Sequence, residues 1–126
     1  MRDFRGLEVW QRAHQITLLL YRATAKFPRE ELYGLTSQIR RCSASIAANI
    51  AEGCGRQGEG EFNRFLQVAS GSASELDYHL LLARDLEILP QNTFDTAANE
   101  LSQLRRKLSS QIAVVRIQRR HTTAKG

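Results

Sequence analysis

LTSQIRRCSASIAANIAEG, residues Leu35 to Gly53, decides the fold. Ile39, Cys42, Ile46 and Ile50 recur at three- and four-residue steps, so they share one face of a helix. Ala44, Ala47, Ala48 and Ala51 occupy the other positions and let a neighbouring helix approach closely. Gly53 is placed to cap the C-terminus of this helix, because glycine adopts the left-handed backbone at no steric cost. A single apolar stripe cannot bury itself, so the remaining chain must supply the covering helices.

It supplies three. A first helix runs from about Leu7 to Lys26 with Trp10, Ala13, Thr17, Leu20 and Thr24 on one face. Phe27-Pro28 ends it, because the residue before proline avoids helical backbone, and Arg29 to Tyr33 forms a short turn. Gly53, Gly55, Gly58 and Gly60 mark a break. A third helix follows from about Glu61 to Leu89, with Phe62, Leu66, Ala69, Ala73, Leu76, Leu80 and Ala83 inward. It spans roughly 43 Å at about 1.5 Å per residue. Gly71 in its middle costs about 1 kcal/mol against alanine, which predicts close contact with another backbone. Pro90 separates it from a fourth helix, Asn92 or Thr93 to Gln118. That helix turns Phe94, Ala97, Leu101, Leu104, Leu108, Gln111 and Val115 inward. No strand-like alternation competes. The expected architecture is all-α, an antiparallel up-down four-helix bundle over residues 1–118 with a basic C-terminal tail at 119–126. Trp10, Ile39, Ile46, Leu66, Leu76, Leu101 and Leu108 are expected in its core.

The 126 residues suit one domain. No secretory signal is visible, and no stretch approaches the roughly 18 apolar residues of a membrane span. Two cysteines imply no disulfide framework, and Cys42 falls on the apolar stripe. The cytoplasm is the expected compartment. Charge is unevenly spread. Residues 1–104 hold 11 basic and 13 acidic residues, a balance of −2, whereas residues 105–126 hold seven basic residues and no acid. Arginine outnumbers lysine 15 to 3, which favours forked bonds to phosphate or carboxylate.

Residue patterns for catalysis are missing. A di-iron bundle uses Glu-x-x-His pairs, but Glu75 is followed three residues later by Tyr78, and Glu75/His79 reads as a one-turn polar contact. Cys42 and Cys54 have no zinc-like spacing to His14, His79 or His121. The glycine-rich segment 53–60 lacks a preceding strand and a Gly-Lys-Ser/Thr ending, so it is a connection and not a phosphate loop. Cys54 beside Arg56 gains some thiol activation but has no base. The sequence therefore points to a protein that is not an enzyme, with no catalytic, cofactor or metal residues.

Two features concern partners. Leu18, Leu19 and Leu20 point in three directions, as do Leu80, Leu81 and Leu82. A helix that is apolar around most of its circumference needs cover on more than one side, so Leu18, Leu19, Leu81 and Leu82 are expected in a homo-oligomer contact. In the basic end, Arg106, Arg116 and Arg120 share the outer face of the fourth helix, flanked by Arg105 and Arg119. Arg40 and Arg41 form a smaller patch on the second helix. Such surfaces suit RNA or DNA through counterion release. Cations also complement a helix C-terminus and keep a chain soluble. Both readings stand at this point.

Leu7-Glu8-Val9-Trp10, Phe27-Pro28 with Glu31 and Gly34-Leu35, Gln38-Ile39-Arg40-Arg41, Asn49 to Gly53, and Gly71-Ser72 with Glu75-Leu76 together resemble the bacterial four-helix-bundle family encoded in 23S rRNA intervening sequences. The resemblance covers about Phe4 to Leu89 and weakens through the fourth helix. It implies ring-shaped homopentamers with no assigned activity. It extends to the accessory subunit of diversity-generating retroelements, which binds nucleic acid and a reverse transcriptase. Many relatives carry proline where Ala47 stands here. Asn49, Glu52, Gly53, Gly71 and Glu75 belong to the shared motifs and read as structural: Asn49 bonds between helices, and Glu52 holds the glycine loop or Arg56. The expected function is an oligomeric, non-enzymatic module that binds nucleic acid, RNA above all. The alternative is a protein-interaction scaffold.

Overall fold

The computed structural model describes residues 2–125, with side chains as far as His121. Gly126 and the side chain of Lys125, both in the expected tail, lie outside the described residues. Four helices account for most of the chain: α1 at Glu8–Thr24, α2 at Ser37–Gly55, α3 at Glu59–Asp85 and α4 at Gln91–Lys125. Helix α1 packs on α2 and α4, and α3 packs on the same two, so consecutive helices are neighbours around one core. This is the pattern of an up-down bundle. Among the described residues, no helix is long and apolar enough to cross a membrane.

The connections show why the helices start and stop where they do. After Phe27-Pro28 a short tight turn at Arg29–Glu31 leads into a wide turn at Leu32–Thr36, which runs directly into α2. The Glu31 carboxylate accepts the Leu35 N–H at 3.1 Å. A β-carbon on Gly34 would sit 2.7 Å from that carboxylate oxygen. Glycine at 34 therefore leaves room for the capping acid. Between α2 and α3, Gly58 takes φ 86°, a value that L side chains rarely adopt. Helix α3 stops at Asp85, where the sequence suggested Leu89. Glu87 turns through φ 61°, and the N–H groups of Ile88 and Leu89 both donate to Ala83 O. That closure returns Leu89 to the core.

Phe62, Ile16, Leu20, Ile39, Ile46, Ile50, Leu66, Leu76, Leu80, Leu101, Leu104 and Leu108 are fully enclosed. Four sequence expectations need correction. In α1 the inward set is Val9, Ala13, Ile16, Leu20 and Thr24. Trp10 is only partly buried. Its indole stacks on His14 and lies against Phe4, both with ring centroids 4.9 Å away. Thr17 sits at the α1–α2 seam, where its hydroxyl donates to Ala13 O at 2.8 Å and lies 3.1 Å from Ser43 O. The helix is rotated so that aliphatic Val9 and Ile16 replace the bulky indole and the hydroxyl inside. Gly53 is not a cap: α2 continues to Gly55, and a β-carbon at 53 would lie 2.9 Å from Phe65 Cβ and 3.3 Å from Phe62 O. It lets α3 approach. Gly71 is exposed, with nothing within 4 Å of an added β-carbon, so no backbone of the same subunit explains it. Finally, α4 passes Gln118 without a break, so residues 119–125 continue the helix.

Candidate nucleic-acid interface

Helix α4 is held to the bundle by Ala97, Leu101, Leu104, Leu108 and Val115, all buried. This stripe fixes which cations face out. Arg105, one position beyond Leu104, reaches α3, where it bonds Asp77 Oδ2 at 3.0 Å and Ser74 Oγ at 3.1 Å. Lys107 lies 3.5 Å from Glu8 on α1. Those two cations are neutralised within the bundle. Arg106, Arg116, Arg119 and Arg120 are exposed, and none of them joins an ion pair among the described residues. Arg119 leans over the start of α3, with its guanidinium carbon 3.5 Å from where a β-carbon of Gly60 would be. Arg106 borders an open cleft of about 620 Å³ with Asp77, Ser102, Ser109 and Ser110. Arg116 borders a neighbouring hollow with Gln67 and Ser70. Ile117, 63% exposed, lies among these arginines on the helix surface.

The smaller patch on α2 is differently engaged. Arg40 donates to Thr24 Oγ1 at 2.8 Å and Tyr21 O at 3.2 Å, and its guanidinium lies over the Tyr21 ring. It fastens α2 to the end of α1. Arg41 donates to Glu75 on α3 at 2.5 Å and to Gln38 at 2.7 Å. Neither arginine is a free cation.

Of the shared motif residues, Gly53 and Glu75 lie at the α2–α3 seam, whereas Gly71 faces outward. Asn49 bonds within its own helix, to Ser45 O at 2.8 Å and Ser45 Oγ at 3.0 Å. The link to α3 is made by Ser45, whose hydroxyl pairs with Ser72 at 2.9 Å. Glu52 accepts from Arg56 at 2.8 Å. Cys54 is buried, and burial pushes its thiol up from the ordinary range, the reverse of activation.

Glu75 is a meeting point that the linear spacing did not reveal. Its Oε2 accepts from Arg41, from the Cys42 thiol at 2.9 Å and lies 3.2 Å from His79 Nε2. Hydrogen bonds from Cys42, Arg41 and His79 hold the carboxyl down at about 2. Burial first, then the bond to Glu75, pushes the Cys42 thiol up to about 12. Ligand atoms of Cys42, Glu75 and His79 all lie within 4.8 Å of one another. The only signal in the sequence was the Glu75/His79 step, because Cys42 joins through the relative register of two helices.

Of the leucines expected at a subunit contact, Leu81 is 39% exposed. Leu18 is half-buried, and Leu19 and Leu82 pack against the subunit's own core. Val68 and Tyr78 on α3, and Leu86 just past its end, are also exposed.

The sequence profile of the 23S rRNA-intervening sequence protein family matches residues 5–110. Among solved structures, the fold is similar to a protein of unknown function from the S23 ribosomal protein family of Bacteroides thetaiotaomicron VPI-5482. The TM-score is 0.77 at 24% identity, over 83% of this chain and 95% of that one. No curated protein matches the chain.

Proposed function

This chain belongs to the 23S rRNA-intervening sequence protein family, and on that footing we propose that it is a non-enzymatic, oligomeric module that binds nucleic acid, chiefly RNA, through the outer face of α4. The observation that carries the reading is the separation of the C-terminal cations into two groups. Arg105 and Lys107 are paired with acids of the bundle, while Arg106, Arg116, Arg119 and Arg120 stand exposed over about 21 Å of helix. Unpaired guanidinium groups in a row attract phosphates without reading bases, and each phosphate engaged releases counterions. Family membership adds no ligand of its own.

Assembly belongs to the same proposal, with a closed homopentamer as the expected form. Val68, Tyr78 and Leu81 are exposed at helical spacing along α3, and side-chain-free Gly71 lies on the same exposed side. A second copy packing there would cover apolar surface and use the glycine for close approach. Leu81 is the exposed member of the leucine set, and Leu19 and Leu82 pack against the subunit's own core. A ring would repeat the α4 patch on every subunit, adding avidity to weak single contacts.

One observation favours a second reading. Ile117 is among the most exposed large apolar residues and sits within the arginine face, a mixture that suits a protein partner as well as phosphate. Retention on single-stranded RNA and duplex DNA at low salt separates the two. The nucleic-acid reading expects binding that falls steeply with added salt and is lost when Arg106, Arg116, Arg119 and Arg120 are all replaced by glutamate. Wild-type protein that is not retained at low salt refutes it and leaves the scaffold.

A further inference from the structure

Three side chains of different chemistry meet where α2 and α3 pack. Cys42 comes from the buried face of α2, and Glu75 and His79 come from one turn of α3. The i, i+4 step places the carboxylate and imidazole on one side of α3, and the α2–α3 packing brings the thiol up to them. We propose that Cys42, Glu75 and His79 form a binding site for a thiophilic divalent cation, with zinc as the ion whose preferred donors they match.

The geometry is close to what such an ion requires. Around tetrahedral zinc, ligand atoms at ordinary bond lengths are separated by about 3.4–3.6 Å. Here Cys42 Sγ and Glu75 Oε2 are 2.9 Å apart, and His79 Nε2 and the same oxygen are 3.2 Å apart. The remaining separation is at most 4.8 Å. Small side-chain rotations convert a hydrogen-bonded cluster into three edges of a coordination tetrahedron, leaving the fourth position for water.

Charge also balances. Binding moves the Cys42 proton to solvent and transfers no electron, so one thiolate and one carboxylate neutralise the dication. Sulfur, imidazole nitrogen and carboxylate oxygen are the three donor types that zinc accepts. Arg41, already bonded to Glu75, remains an outer partner that steadies the carboxylate. The imidazole has donor capacity to spare: His79 Nδ1 is buried and lacks a hydrogen-bond partner. Coordination through Nε2, the nitrogen that faces Glu75, places the ring proton on Nδ1. The side chain of His79 is 16% exposed, which leaves an approach for the ion. None of this depends on the nucleic-acid reading, because the cluster is built from α2 and α3 alone.

The test uses the full chain, chelator-treated and then titrated with Co²⁺ as the probe and Zn²⁺ as competitor. The expected result is one Co²⁺ per chain, with a thiolate-to-cobalt charge-transfer band that Zn²⁺ abolishes. Cys42→Ser should remove the band, and Cys54→Ser should leave it unchanged. His79→Gln, at a side chain outside the deep core, should weaken binding by more than about 100-fold while circular dichroism stays helical. That variant keeps the test decisive if Cys42→Ser disturbs packing. A wild-type protein without a thiolate band overturns the site, as does a band that depends on Cys54 or an affinity unchanged in His79→Gln.

Discussion

Glu75 Oε2 takes bonds from two helices at once, from Arg41 and Cys42 on α2 and from His79 on α3. Because those bonds favour the charged form, the carboxyl titrates at about 2, below its ordinary value of 4.5. A depressed carboxyl adds stability that is complete above the unfolded value and is lost as pH falls through the folded one. In metal-free protein, Glu75→Gln should therefore lower the urea midpoint at neutral pH. The gap from wild type should close as pH drops from 4.5 toward 2. An unchanged gap across that range would mean that the bonds contribute nothing to folding. A second residue-scale expectation concerns the thiols. Cys42 and Cys54 are each about 1% exposed, and burial raises both thiols. Native metal-free protein should therefore react with a thiol reagent only as fast as it opens, with full reaction in urea. Sequence placed Cys42 inward because its stripe is local. It missed the meeting of Cys42 with Glu75 and His79 because that depends on how far α2 and α3 slide past each other.

Helix packing in this bundle turns on small residues that look alike in sequence and differ in surroundings. Gly53 and Gly71 both lie inside helices and both belong to the shared motifs. A β-carbon at 53 collides with Phe65 and Phe62, while one at 71 meets nothing. Gly53→Ala should therefore destabilise the fold by about 1–3 kcal/mol through overpacking. In protein kept monomeric by Leu81→Glu, Gly71→Ala should stabilise the subunit by up to about 1 kcal/mol through helix propensity. Thermal or urea melts of the two variants check the opposite signs, and equal shifts would refute the packing argument. The four helices themselves were legible because each carries its own 3.6-residue period between proline or glycine breaks. Which flank of α1 turns inward was not, since Val9 and Trp10 are adjacent and both apolar. Only the helix that α1 packs against decides between them. The extension of α4 past Gln118 was equally hidden. Beyond Val115 no residue reaches the core among the described residues, so the inward pattern fades while helix-favouring residues continue.

At the scale of the molecule, one chain presents two outer surfaces of opposite character. Helix α3 offers exposed apolar side chains, Val68, Tyr78 and Leu81, while α4 offers four exposed arginines with Ile117 among them. The proposed assembly assigns the first surface to other copies and the second to phosphate, so the two should separate under mutation. Leu81→Glu places a carboxylate where a contact would exclude water, and a closed ring repeats that penalty at every interface. It should shift sedimentation toward monomer, and Leu18→Glu should add to the effect. The arginines of α4 stay intact in these variants, so any loss of RNA retention must come from lost multivalency. Linked sites gain roughly 10²- to 10⁴-fold over single ones, and a monomeric Leu81→Glu protein should lose apparent affinity on that scale. Replacing Arg106, Arg116, Arg119 and Arg120 by glutamate should do the converse, removing retention while sedimentation still reports the assembled form. If Leu81→Glu dissociates the protein and leaves RNA affinity unchanged, binding does not use the ring. If wild-type protein already sediments as a monomer, the apolar face of α3 serves something other than a second copy.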